Sequence, residues 1–127
     1  LSSAIPKDSM EEHVLRLDED LKKQELASLL QLKQRLEEQK KDVLQQEAGK
    51  IERAIAANPD TTSEERDALR RKYDDTSLRI SNYLDLEQAK QEKELSDAFA
   101  QLKERKKVKL QQKFLVQQQQ EQLDAEQ

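Results

Sequence analysis

A single interior break divides a chain that otherwise favours helix throughout: Ala57-Asn58-Pro59-Asp60-Thr61-Thr62. Pro59 cannot occupy a helix interior, because its ring clashes with the preceding turn and it has no N–H to donate. It also drives Asn58 away from helical angles. Asn is a residue that ends helices by tolerating a left-handed backbone. Thr62-Ser63-Glu64-Glu65 reads as a capping box, with Thr62 Oγ1 on one orphan N–H and Glu65 reaching back to another. One helix is thus expected to stop near residue 57 and a second to start near residue 62. The connecting turn, residues 58–61, is short enough for antiparallel neighbours.

Composition decides whether the rest is helix or disorder. The chain has 127 residues, of which 39% are charged, 34% hydrophobic and 3% aromatic, with one Gly and two Pro. That is more charge and less apolar content than globular domains carry, which fits either disorder or long helices that bury only a seam. Gln, Glu, Lys, Leu and Ala dominate, and these are good helix formers. Disordered chains are richer in Pro, Gly and Ser. Long helices are therefore the expectation.

The apolar residues carry two periodicities. Met10, Val14, Leu17 and Leu21 step by four, three and four, the a/d seam of a coiled coil. The heptad then slips across Leu26, Leu29, Leu30 and Leu32, and returns at Leu44, Ala48, Ile51 and Ile55. Met10, Leu21, Leu32, Val43 and Ala54 lie eleven residues apart and bridge the slip. Eleven residues in three turns is close to the pitch of a straight helix, so supercoiling should be weak. In the second helix Leu69, Tyr73, Thr76, Ile80 and Tyr83 step by four and three, while Tyr73, Leu84 and Leu95 form another eleven-residue series. Residues 87–94 are polar apart from Ala89, and the seam resumes at Leu95, Ala98, Phe99, Leu102, Leu110 and Phe114. Gly49 interrupts the first helix, either as a tolerated residue near a helix end or as a point where the second helix comes close.

The expected fold is all-α, a long antiparallel helical hairpin or coiled coil with mixed heptad and eleven-residue periodicity. Residues 1–7 form a lead-in, 8–57 the first helix with Asp8 or Ser9 as its cap, 58–61 the turn and 62–124 the second helix. An extended parallel dimer kinked at Pro59 is the other architecture this pattern allows. In the hairpin, apolar residues of the two helices meet, with Ile51 near Leu69, Leu36 near Tyr83, Leu21 near Ala98 and Phe99, and Leu17 near Leu102. The chain after about Lys109, including Phe114-Leu115-Val116 and the glutamines 117–120, then overhangs the start of the first helix. Leu15, Leu26, Leu30, Leu78, Leu86, Leu115 and Val116 fall off or at the edge of the seam and call for further helices, from a second copy or a parent protein. A start at Leu1 rather than Met points to a segment of a longer or processed protein.

Chemistry-bearing patterns are scarce. There is one His, His13, and no Cys, so no metal cluster, disulfide or thiolate chemistry is expected. Asp18-Glu19-Asp20 lacks the glycine and alternation of a calcium loop. Asp18/Lys22, Glu19/Lys23, Glu37/Lys41 and Asp67/Arg71 are acid-first i,i+4 pairs, which support a solvated helix face. No Gly-rich phosphate loop and no nucleophile–base set can be assembled. No cofactor and no small-molecule ligand are expected, and the chain is read as not an enzyme. No run approaches a membrane span and no signal peptide is evident, so the expected location is intracellular, with the cytoplasm and its cytoskeleton as the default.

The function expected is a non-catalytic coiled-coil interaction, scaffold or spacer module whose partners are other helical segments, itself included. Its seam is Leu17, Leu21, Leu36, Leu44, Ile51, Leu69, Ile80, Leu95, Leu102 and Leu110. The alternative is a polyanion-binding helix, for nucleic acid, a microtubule or an acidic membrane surface, through residues 103–113. That patch comprises Lys103, Arg105, Lys106, Lys107, Lys109 and Lys113, with Phe114 and Leu115 as a docking point beside it. Matching of this cluster to Glu11, Glu12 and Asp18 across the hairpin is the competing use of the same charges. Nucleic acid and membrane are accordingly not the expected partners.

Overall fold

The break at Pro59 is built by local hydrogen bonds that a computed structural model, describing residues 10–126, makes explicit. Helix α1 is Met10–Ala57 and helix α2 is Ser63–Glu126. At the end of α1 the Asn58 N–H donates to Ile55 O at 3.3 Å, and the Asn58 carbonyl accepts from both the Thr61 N–H, at 3.1 Å, and the Thr61 hydroxyl. Thr62 Oγ1 accepts the Glu65 N–H at 3.1 Å, which satisfies one orphan donor of α2. Among the described residues no non-Gly residue has positive φ, so Asn58 ends α1 without the left-handed backbone expected of it. Glu11 and Glu12 stand in the first turn of α1, and Glu64 and Glu65 in that of α2, where the helix dipole favours acids. The lead-in and the Asp8 or Ser9 cap lie outside the described residues.

The two helices pack against each other as an all-α antiparallel hairpin, with no strand among the described residues. Contacts group the chain into two units, one of residues up to Leu29 with those from Glu94, the other of Leu30–Lys93. Each helix contributes to both. In the Leu30–Lys93 unit, Lys40 Nζ meets Asp85 Oδ1 at 2.9 Å and Lys33 Nζ meets Glu92 Oε1 at 4.0 Å. In the other, Lys103 Nζ lies 3.5 Å from Asp18 Oδ1. Counting outward from the turn would instead set Lys40 against Arg79, Lys33 against Leu86 and Asp18 against Gln101. The displacement has one direction and one cause. Helical side chains lean toward their own N-terminus, so long α1 lysines reach away from the turn and α2 lysines reach toward it.

The core is thin. Leu21 and Leu32 are the buried residues, at 4% and 8% exposure, and α2 has no buried residue among those described. Both belong to the eleven-residue series from Met10, whose next member Val43 is half-buried; the series ends there, because Ala54 is exposed. Half-buried positions in α2 follow the same period: Leu69, Ile80, Gln91 and Leu102; Tyr73, Leu84 and Leu95; Ser77, Gln88, Phe99 and Leu110. Polar residues therefore sit in the seam wherever the helix face dictates. Gln88 and Gln91 manage this by donating to Glu92 and Glu87, each at 3.2 Å, one turn along the same helix. Tyr83, placed in the seam by heptad stepping, is 66% exposed, and Leu84 takes its place. Ala98 is likewise exposed, one residue from half-buried Phe99.

Gly49 does not mark a close approach of α2. A Cβ built there meets first the guanidinium of Arg53 in its own helix, with Nη1 at 3.3 Å. Local ion pairing also departs from the i,i+4 expectation. Asp18 turns to Lys103 on the other helix, and Asp67 pairs with Arg70 at 3.9 Å, while Arg71 Nε donates to the Asp67 carbonyl at 3.4 Å.

Candidate interaction surface

The seam residues fall into one burial class, with one exception. Leu17, Leu36, Leu44, Ile51, Leu69, Ile80, Leu95, Leu102 and Leu110 are half-buried, and Leu21 is buried. Two helices in contact can shield only the facing third of each, so the flanks of even the central leucines stay in water. Residues beside the seam remain largely open. Leu15 (59%), Leu26 (58%), Leu30, Leu78, Leu86, Leu115 (55%) and Val116 are all exposed, as are Val108 and Leu123. Scattered exposed leucines are ordinary on a globular surface. Here they outnumber the buried ones, which is not.

In the unit of residues up to Leu29 and from Glu94, part of this apolar surface forms an open groove of about 680 Å³. Its walls are Met10, Glu11, Val14 and Leu15 from α1, and Gln111, Phe114 and Leu115 from α2. A register counted from the turn places Phe114 and Leu115 on an overhang beyond the first helix. They instead stand beside Met10 and Val14, because the pairing is displaced away from the turn. The signal was present in the step from Leu110 to Phe114, which continues the seam without interruption, but the turn-centred register left it without a partner. A smaller groove in the same unit, of about 330 Å³, is lined by Leu21, Glu25, Ser96, Phe99 and Ala100 together with the Asp18/Lys103 pair.

The basic cluster is divided by the fold. Lys103 is half-buried and faces Asp18, and Lys107 is half-buried, whereas Arg105, Lys106, Lys109 and Lys113 are exposed. The Asp18/Lys103 contact, at 3.5 Å, is an ion pair without hydrogen-bond geometry. With roughly a third to a half of each side chain in water it contributes at most about 1 kcal/mol. Its consequence is placement, since it ties the basic stretch to the acidic start of α1.

Among the described residues, no group of three or more His, Asp or Glu side chains is arranged to hold a metal ion, and no helix is long and apolar enough to cross a membrane. No protein-family model, curated protein or solved structure matches this chain.

Proposed function

We propose that this chain is a non-catalytic helical interaction module, which joins or spaces other helical segments by lending them an apolar flank. One observation carries this reading: the apolar residues that the hairpin leaves exposed outnumber those it buries, and many stand in helical register beside the seam. A helix pair of this kind completes its core by accepting further helices. Catalysis would require a convergent set of nucleophile, base and oxyanion donors, and the lone imidazole, His13, stands on a helix face of α1. Polyanion binding is the second reading. It draws on exposed Arg105, Lys106, Lys109 and Lys113, but Lys103 is engaged by Asp18 and the groove beside the cluster is apolar.

The seam is the part of the module that must hold first. Leu21→Asp places a carboxylate at the most buried position and is expected to cost several kcal/mol, on the order of 3–5. Leu102→Asp should cost less, since Leu102 is half-buried. Tyr83→Ser, on the exposed side, should change stability by no more than about 0.5 kcal/mol. Thermal melting and association state of the three variants measure this. Unchanged melting and association in both leucine variants would contradict the proposal.

A further inference from the structure

We infer that a second copy of this chain packs on the flank of the unit of residues up to Leu29 and from Glu94, with α1 of one copy antiparallel to α2 of the other. The inference rests on the helical-module reading and names its partner. Two observations support it.

The first is a self-complementary pattern. Leu15 and Leu26 are eleven residues apart, so they fall on one line of α1, and Glu19 and Lys22 lie one turn inside each of them on the same face. On α2, Ala100, Glu104, Lys107, Gln111 and Leu115 step by four, three, four and four along one face. Set antiparallel with Leu26 beside Ala100, the two rows match at three of four levels, and at the fourth Leu15 lies one turn from Leu115. Lys22 meets Glu104, Glu19 meets Lys107, and Leu15 meets Gln111 next to Leu115. This alignment has the antiparallel direction of the hairpin itself, which a two-fold axis along the helices preserves, and its register is one residue from that of Lys33/Glu92 and Lys40/Asp85 and five residues from that of Asp18/Lys103. Glu19, Lys22 and Glu104 are exposed and Lys107 is half-buried, and none of them takes part in the ion pairs described within the chain. An isologous contact makes each pair twice. An arbitrary foreign helix has no reason to carry this alternation of charge in reverse order, whereas a second copy carries it by construction.

The second is area. The chain exposes 10284 Å², whereas a folded globular chain of 14.8 kDa exposes roughly 7000 Å². The excess is several times the roughly 800 Å² per partner that a specific interface removes. The groove of Met10, Val14, Leu15, Phe114 and Leu115 lies on the proposed face and presents apolar surface for the partner copy to cover.

Charge exchange between copies tests it. Sedimentation velocity of the full chain at about 50 mM salt, where surface charges are weakly screened, should show self-association that strengthens with concentration. Glu19→Lys leaves that copy with Lys at both positions, and Lys107→Glu leaves it with Glu at both. Each variant alone should associate about tenfold more weakly, with wild-type helicity by circular dichroism. Mixing the two in equal amounts restores both opposite-charge pairs, and should return association to the wild-type strength. A single-chain mass at every concentration, or a mixture no stronger than its components, overturns the inference. The Leu21→Asp melt reads out separately: its loss of stability with a failed charge exchange leaves the helical module standing without this partner.

Discussion

Thr62 and Gly49 show how single residues set the limits of a structure with so little core. The Thr62 hydroxyl accepts the Glu65 N–H at the start of α2. Thr62→Ala is therefore expected to lower stability by about 1 kcal/mol, read from the midpoint of urea unfolding. Gly49 carries a backbone-entropy cost with nothing gained in packing, since the nearest atoms to an added Cβ belong to the flexible end of Arg53. Gly49→Ala should raise stability by about 1 kcal/mol in the same measurement, after a shift of a few tenths of an ångström by Arg53. A loss instead would mean that α1 needs glycine there for a reason its own helix does not supply. Leu21 is the opposite case, because it has the least exposure of any described residue and the most to lose.

The elements were legible because their signals are local. Pro59 and the Thr62 cap mark the turn, and the eleven-residue series picked out Leu21 and Leu32, the two residues that the helix pair buries. Register across the pair was less legible. It depends on the lean of side chains toward the helix N-terminus, which a count from the turn ignores, and this is why Phe114 faces Met10 and Val14 rather than overhanging them. Heptad stepping misplaces Tyr83 for a related reason. A step of three after Ile80 fits a heptad, but a nearly straight helix requires a step of four, and Leu84 is the half-buried residue. The polar seam of Gln88 and Gln91 has no apolar signal at all. Those positions become half-buried because they continue the face of Tyr73, Ile80 and Leu84, and they answer the loss of water with hydrogen bonds to Glu92 and Glu87.

For the whole molecule the governing fact is a deficit of burial. Folding must offset roughly 1–2 kcal/mol of backbone entropy per residue, and two buried leucines with a half-buried seam supply little against that. Ion pairs do not close the gap, since Lys40/Asp85 and Asp18/Lys103 are partly solvated and worth at most about 1 kcal/mol each. Under the proposed reading, this hairpin gains stability by binding other helices, so folding and association become linked. The most direct test is the thermal midpoint of the full chain, followed by circular dichroism over a roughly hundredfold range of chain concentration. An interaction module that pairs with itself should melt at a higher temperature as concentration rises, because its partner binds the folded state and not the unfolded one. A midpoint that stays fixed across the range, with a cooperative transition, would mean that the hairpin does not pair with itself, and would contradict the self-association at the centre of this account.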